Sequence, residues 1–167
     1  MFDDVLSNRA RDLLQQCREH GIRIATAESC TGGLIAAVLT AVSGSSDVVE
    51  RGFVTYTNEA KQDMLGVAPD LFESVGAVSE EVARAMAAGA LEHSPADISC
   101  AVTGIAGPGG ATDSKPVGLV HIATARRGRS TTHQRHVFDG DRDAVRRQTV
   151  LVAFDMMAAL LEPDTRQ

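Results

Sequence analysis

Apolar side chains recur at helical spacing near the start of the chain. They predict an amphipathic helix over residues 4–20 that ends at Gly21. Its buried face is expected to carry Leu6, Ala10, Leu13, Leu14 and Cys17. A short apolar run, "IRIATA" (22–27), then predicts a strand, and the almost uniformly apolar segment 31–42 predicts a buried helix that ends at "SGSS".

Strands and helices continue to alternate along the rest of the chain. Further strands are predicted over 52–57, 97–104, 118–125 and 130–138. Further helices are predicted over 58–65, from Ser79 to about residue 92, and from about residue 141 to 161. The last two strands are joined by "RRGR", which is typical of a hairpin. Together these elements predict an α/β fold, in which a mixed sheet of about five to six strands has helices on both faces.

The composition is that of a globular chain with a negative net charge. Hydrophobic residues make up 44% of the 167 residues, and the formal net charge is −6. This charge argues against nucleic acid or anionic lipid as a partner, and no apolar run approaches the roughly 18 residues of a membrane span. The N-terminus lacks the pattern of a signal peptide. The three cysteines have no metal-ligand spacing and cannot all pair, so we expect a single domain, 1–167, in the reducing cytoplasm.

A polar segment, "ESCTGG", lies where the first predicted strand passes into a helix. It consists of Glu28, Ser29, Cys30, Thr31, Gly32 and Gly33. Ligands of α/β proteins bind beyond the carboxyl ends of strands, and free N–H groups at a helix start stabilise an anion or an oxyanion. A hydroxyl or thiol at this place could attack a carbonyl carbon. The alternative is that the serine or threonine only caps the helix.

Two nucleophiles compete in this segment, and the choice depends on the base. Cys30 could instead be a small buried hydrophobic residue, as Cys17 and Cys100 are expected to be. Ser29 needs a base, and the chain has fourteen arginines but only two lysines, Lys61 and Lys115. A desolvated lysine can lose its proton and an arginine cannot, so Lys61 is a candidate base. The alternative is that the two lysines occur in this arginine-rich chain by chance.

Two further side chains precede Lys61 in "TYTNEAK". These are Tyr56, the only tyrosine, and Asn58. A strand end followed by a helix start can direct both side chains and Lys61 into one cleft. Ser29 lacks the Ser-x-x-Lys spacing of penicillin-binding proteins, so only the fold could bring it to Lys61.

A glycine-rich loop and an arginine cluster are the remaining candidates. The loop "TGIAGPGGATDSKPVG" follows a strand but matches neither standard nucleotide-binding fingerprint, so it is either a donor-rich ligand loop or a long turn. Lys115 lies in it and could be merely solvated. At the start of the last helix, Arg142, Arg146 and Arg147 could bind a phosphate or form ion pairs, and we favour an ion pair for at least one of them.

Four segments of the chain, taken in order, resemble the CinA C-terminal domain family. They are "TAESCTGG", "GFVTYTNEAKQDMLGV", "SCAVTGIAGPGGATDSKPVGLVHIA" and "DGDRDAVRRQTV". The resemblance extends from about residue 5 to residue 161 and implies a three-layer α/β/α domain. Characterised family members are nicotinamide-nucleotide amidohydrolases, so it also implies hydrolysis of the carboxamide of nicotinamide mononucleotide to nicotinate mononucleotide and ammonia, with no cofactor and no metal.

The resemblance also implies roles for individual residues. Ser29 would be the nucleophile and Lys61 its base, directly or through Tyr56. The substrate would contact the residues Glu28, Cys30, Thr31, Gly32, Gly33, Asn58, Thr103, Gly104, Ala106, Gly107, Pro108, Gly109, Gly110 and Arg142. Two alternatives stay open: a nucleotide-binding module without catalysis, and an amidase for a related carboxamide.

Family members usually form dimers or larger oligomers, which the resemblance implies here as well. An apolar stripe on the last predicted helix would permit such an assembly. It is formed by Val145, Gln148, Thr149, Val152, Met156 and Leu160.

Overall fold

A five-stranded mixed sheet organises residues 1–162, which the computed structural model describes. The strands are β1 (Ile24–Glu28), β2 (Val49–Val54), β3 (Ile98–Gly104), β4 (Leu119–Arg126) and β5 (Thr132–Val137). The helices are α1 (Asp4–His20), α2 (Leu34–Thr40), α3 (Asn58–Leu65), α4 (Pro69–Ser74), α5 (Glu80–Glu92) and α6 (Arg142–Ala159). A 3₁₀ turn covers Ser45–Asp47. Residues 163–167 of the predicted domain lie outside the described residues.

The strand order is β2-β1-β3-β4-β5, and it brings three carboxyl ends to one edge of the sheet. β1 runs parallel to both β2 and β3, whereas β4 and β5 are antiparallel to their neighbours. The late hairpin and the mixed sheet predicted from the sequence are therefore confirmed. Because β1, β2 and β3 end together, the loops that follow them meet at the place where α/β proteins bind ligands.

Helices cover both faces of the sheet, which confirms the predicted three layers. α1, α2 and α6 enclose one apolar core, to which the sheet contributes Ile24, Cys100 and Val102. α3 and α5 enclose the other, where the sheet presents mainly alanines such as Ala25 and Ala101. Every residue of β1 is buried, as expected for a strand covered on both faces.

Helix boundaries match the prediction where the signals are local. α1 ends at Gly21 in the left-handed conformation, and α3 begins after Thr57, whose side chain accepts a hydrogen bond from the Ala60 N–H. α2 instead begins at Leu34, three residues later than predicted. Gly32 and Gly33 have φ values of +59° and +97°, which belong to a turn and not to a right-handed helix.

Three other predictions needed correction. β2 spans residues 49–54 rather than 52–57, since the chain leaves the strand before Thr57 caps α3. α4, with a proline in its first turn and no buried residue, was not predicted. The buried face of α6 is wider than the predicted stripe, because α6 packs against both α1 and the sheet. Phe154, which the stripe did not include, is buried. Gln148, which it did include, is half-buried and donates to the carbonyls of Asp139 and Ala144.

Among residues 1–162, none of the helices combines the length and apolarity needed to cross a bilayer.

Candidate active site

The turn after β1 is held together by a buried carboxylate. Glu28 is fully buried, and its oxygens accept hydrogen bonds from the Thr31 hydroxyl at 2.7 Å and from the N–H groups of Ile35 and Ala36 at 2.9 Å each. The first N–H groups of a helix lack acceptors within the helix, and the Glu28 carboxylate provides acceptors for two of them in α2. Glu28 thus braces the turn and does not line the cleft to which Ser29 and Lys61 belong.

This bracing leads to a prediction about stability. Glu28→Gln keeps the shape of the side chain but replaces one acceptor oxygen with an N–H₂ group that faces backbone donors. Hydrogen bonds to a charged group contribute about 1.5–3 kcal/mol, so we expect the unfolding free energy to fall by about 2 kcal/mol. Urea denaturation measures the change. Glu92→Gln, at an exposed position, is the control, and an equal loss in both variants would contradict the bracing role.

The central contact of the site joins the side chains of Ser29 and Lys61. Lys61 Nζ lies 3.0 Å from Ser29 Oγ, although the two residues are 32 positions apart. α3 directs the lysine inward, where only 1% of its surface is exposed. Burial lowers the pKa of Lys61 from its ordinary value of 10.5. The amine is therefore easier to deprotonate than a lysine on the surface.

Two backbone carbonyls orient the amine of Lys61. Nζ lies 2.9 Å from the Thr55 carbonyl oxygen and 3.4 Å from that of Thr57. A neutral amine has two N–H donors and one lone pair. When its two protons are donated to these carbonyls, the lone pair is left to accept the Ser29 hydroxyl proton. The arrangement is suited to general-base activation of a serine.

Backbone donors surround Ser29. The Ser29 N–H donates to the Val102 carbonyl at 3.1 Å, and the Gly32 N–H donates to the Ser29 carbonyl at 2.9 Å. In the described part of the chain, the N–H groups of Cys30, Thr31 and Gly33 have no oxygen acceptor. These are the donors that the turn could offer to an oxyanion.

Arg146 approaches the same turn from α6. Its Nη2 donates to the Thr31 carbonyl at 2.9 Å, and its Nε is buried without a hydrogen-bond partner in residues 1–162. Both Arg146 and the Glu28 carboxylate therefore hold the turn that carries Ser29 by hydrogen bonds to Thr31.

A cleft of about 230 Å³ opens over Ser29 and Lys61. It is lined by Ser29, Cys30, Tyr56, Asn58, Lys61, Ala77, Val78, Thr103, Gly104, Ala106 and Arg142. The structure thus brings nine of the predicted site residues into one cavity. The sequence offered no signal for Ala77 and Val78, which are ordinary apolar residues in the connection between α4 and α5.

Several predicted contact residues lie outside the lining of this cleft. They are Glu28, Thr31, Gly32, Gly33, Gly107, Pro108, Gly109 and Gly110. Two glycines of the loop after β3 have packing reasons for their identity: a Cβ at Gly104 would lie 2.7 Å from the Leu119 carbonyl, and one at Gly107 would lie 2.6 Å from Val117. At these two positions the glycines allow the loop to pack closely against its neighbours.

Tyr56 and Arg142 meet at the mouth of the cleft. The Tyr56 hydroxyl accepts a hydrogen bond from Arg142 Nη2 at 3.0 Å, and Nη1 of the same arginine donates to the Gly107 carbonyl at 2.9 Å. Tyr56 is 59% exposed, and no hydrogen bond connects its hydroxyl to Ser29 or Lys61 within residues 1–162. Arg142 therefore joins the glycine loop to the segment that precedes α3.

The other two arginines of the cluster contact acids, as expected for at least one of them. Arg147 Nε lies 2.7 Å from an Asp3 oxygen, and Arg146 Nη1 lies 3.9 Å from an Asp143 oxygen. The Asp3–Arg147 contact links α6 to the residue that caps α1. Arg142, which has no such carboxylate partner among residues 1–162, is left beside the cleft.

All three cysteines are buried free thiols. Burial raises the pKa of the Cys30 thiol to about 12, so this group stays protonated near neutral pH. Cys17 and Cys100 lie in the core, as predicted. Within residues 1–162, no group of three or more His, Cys, Asp or Glu side chains could hold a metal ion.

Known proteins resemble this chain in sequence and in fold. A family model described as the CinA C-terminal domain matches residues 6–161. The chain is 47% identical over 158 residues to "Nicotinamide-nucleotide amidohydrolase PncC" of Escherichia coli strain K12, a match that covers 94% of this chain and 95% of that protein. It is 54% identical over 144 residues to a "CinA-like protein" of Geobacter sp. strain M21, covering 86% of this chain and 34% of that relative.

The chain therefore spans about a third of the length of the Geobacter relative. Among solved structures, the competence/damage inducible protein CihA from Agrobacterium tumefaciens superimposes with a TM-score of 0.94 at 48% identity, covering 97% of this chain and 99% of that one. The matched family model covers nearly all of the described residues and includes every part of the cleft. The chain belongs to the CinA C-terminal domain family.

Proposed function

We propose that this chain is an amidohydrolase that converts nicotinamide mononucleotide to nicotinate mononucleotide and ammonia, with Ser29 as nucleophile and Lys61 as general base. The observation that carries the proposal is the 3.0 Å contact between Lys61 Nζ and Ser29 Oγ at the base of the cleft. The choice of substrate is supported by the name of the Escherichia coli relative, which matches this chain over nearly its whole length.

In the acylation step, neutral Lys61 removes the proton from Ser29 Oγ as that oxygen attacks the carboxamide carbon. The tetrahedral intermediate carries its negative charge on the former carbonyl oxygen. The N–H of Cys30, the residue after the nucleophile and part of the cleft lining, has no oxygen acceptor among residues 1–162 and is available to stabilise this charge. Protonated Lys61 then gives its proton to the leaving nitrogen, and ammonia departs as the C–N bond breaks.

In the deacylation step, water takes the place of ammonia. Lys61 removes a proton from the water as its oxygen attacks the acyl carbon, and the proton returns to Ser29 Oγ when the ester bond breaks. The products are the carboxylic acid of the nucleotide and the free enzyme. This cycle uses one amine for all four proton transfers.

The remainder of the mononucleotide would be held at the mouth of the cleft. Arg142 offers a guanidinium group for a phosphate, and Tyr56 and Asn58 offer polar groups for the ribose. Tyr56 is in contact with Arg142 and not with the Ser29–Lys61 pair. We therefore assign Tyr56 to substrate binding in preference to proton relay.

The test is release of ammonia by the purified chain. Nicotinamide mononucleotide is compared with nicotinamide riboside, which lacks the phosphate, and with nicotinamide. We expect release from the mononucleotide only. Equal rates with all three would favour an amidase for a wider range of carboxamides, and binding of the mononucleotide without ammonia would favour a non-catalytic binding module.

A variant of the neighbouring thiol tests the choice of nucleophile. Cys30→Ala is expected to keep the rate of ammonia release within about 3-fold of the wild-type rate, because a thiol whose pKa is about 12 supplies almost no thiolate near neutral pH. A steady-state assay measures the rate. A loss as large as that of Ser29→Ala would move the nucleophile to the thiol.

Two further expectations stay predictions. The resemblance implies a dimer or a larger oligomer, which light scattering coupled to size exclusion measures. The cysteine content predicts a cytoplasmic protein, which fractionation of the source cells would test.

A further inference from the structure

The connection between α4 and α5, residues 75–79, forms one side of the cleft. Ala77 and Val78 line the same cavity as Ser29, and both are half-buried. Most of the remaining lining side chains are polar, among them Asn58, Thr103 and Arg142. Together with Ala106, these two are the aliphatic side chains of the cleft lining.

Three side chains hold the backbone of this connection. Lys115 Nζ donates to the Val75 carbonyl at 2.6 Å, the Ser79 hydroxyl donates to the Gly76 carbonyl at 2.8 Å, and the Thr103 hydroxyl donates to the Ala77 carbonyl at 2.8 Å. Three successive carbonyl groups are thus occupied. Two of the three donors come from outside the connection, so its position relative to Ser29 depends on β3 and on the glycine-rich loop.

Lys115 makes the most distant of these contacts, bridging 40 residues of sequence. Its ammonium also lies directly over Gly76, where a Cβ would be only 3.0 Å from Nζ. Gly76 has a φ of +79°, which favours glycine. The second lysine of the chain is thereby fixed against the backbone of the cleft wall rather than left in solvent.

We propose that Ala77 and Val78 are the specificity wall against which the ring of an aromatic carboxamide packs, and that Lys115 is the positioning residue that holds this wall. The inference rests on the proposed function and adds the part of the substrate that the wall recognises. A planar ring buries its face most favourably against apolar side chains, while polar groups orient its amide. In this cleft Ala77 and Val78 offer such apolar surface beside the polar lining groups.

Lys115→Met tests the positioning role. It keeps the length of the side chain but removes a charge-assisted hydrogen bond. Loss of such a bond shifts the equilibrium away from the observed position of residues 75–79 by about 10-fold or more. We expect hydrogen exchange of the Val75 and Gly76 amides, which donate to the Leu71 carbonyl, to accelerate about 10-fold and KM for nicotinamide mononucleotide to rise about 10-fold. The kcat should stay within about 3-fold, because the contact between Ser29 and Lys61 is not involved.

A matched control removes a cation-to-carbonyl contact elsewhere. Arg129 Nη1 donates to the carbonyls of Leu160 and Glu162 near the hairpin, at the opposite end of the sheet from the cleft. Arg129→Met should change neither the exchange of the Val75 and Gly76 amides nor KM. Unchanged exchange in Lys115→Met, or the same change in both variants, would overturn the positioning role.

Val78→Ala tests the wall itself. Shortening this side chain should raise KM for nicotinamide mononucleotide about 5-fold with kcat nearly constant, and the double variant with Lys115→Met should be less than additive, since both changes disturb the same contact. A KM that does not move in Val78→Ala would overturn the wall. If the wild-type chain releases no ammonia, the proposed role of Ala77 and Val78 is rejected together with the proposed function. The exchange measurement still tests the role of Lys115 in that case.

Discussion

Replacing Lys61 with arginine is expected to reduce the rate of ammonia release by about 10³-fold, the scale of a lost general base. Arginine keeps the positive charge but cannot give up its proton within a protein. The Ser29 hydroxyl would then face a permanent cation in place of a lone pair. The measurement is kcat/KM for nicotinamide mononucleotide, with circular dichroism and thermal unfolding to establish that the variant is folded.

A second substitution at this position distinguishes loss of the base from disturbed packing. Since only 1% of Lys61 is exposed, a guanidinium group could disturb packing at this position. Lys61→Met has no charge and a similar length, so it is expected to fold and to be as inactive as Lys61→Arg. A folded variant of either kind that works at a near wild-type rate would remove Lys61 from the mechanism.

The pH dependence of the wild-type enzyme should report the same group. Burial lowers the pKa of Lys61 from 10.5, and in the proposed mechanism the neutral amine is the active form. The value of kcat/KM should therefore rise with pH through this lowered pKa and level off above it. Between the lowered pKa and 10.5 the unfolded chain binds more protons at this residue than the folded chain, so its contribution to the unfolding free energy also rises with pH.

Ser29→Ala is expected to reduce ammonia release by about 10⁴-fold or more, the scale on which removal of the nucleophile acts in a serine hydrolase. The substrate should still bind, because alanine leaves the cleft open and its other lining groups in place. Isothermal calorimetry with nicotinamide mononucleotide measures the binding. Ser94→Ala is the matched control, since Ser94 is as buried as Ser29 and its hydroxyl donates to the Ala90 carbonyl on α5.

Acyl capture supplies a direct readout for the same residue. Rapid acid quenching during turnover should leave the nicotinate mononucleotide acyl group esterified to the peptide that contains Ser29, and mass spectrometry locates it. The ester should be missing from Ser29→Ala. An adduct on Cys30, or full activity of Ser29→Ala, would contradict the assignment.

Where the signals are local, the sequence was sufficient to predict the fold. α3 was predicted over 58–65 and is observed there, because Thr57 supplies the cap and Gly66 the left-handed end. The boundaries of β2 and α2 were predicted less well. Both depend on how the chain turns at the edge of the sheet, where two glycines postpone the start of α2.

The site shows the same division between local and distant information. Lysine was a candidate base because arginine predominates in the chain, and no spacing rule connected it to Ser29. Ala77 and Val78 carry no chemical signal, and Glu28, in the same motif as Ser29, turned out to brace the turn rather than line the cleft. Membership of a cavity depends on which surfaces face each other after folding.

By itself, the sequence determined the class of fold, the order of its elements and the residue types available for chemistry, because periodicity, caps and side-chain reactivity are properties of short segments. Only the tertiary structure decided which of those residues meet. The parallel pairing of β1 with β2 brings the turns after both strands to one edge, and burial there lowers the pKa of Lys61. A contact across 32 residues, and a pKa that depends on the solvent excluded around it, exist only in the folded chain.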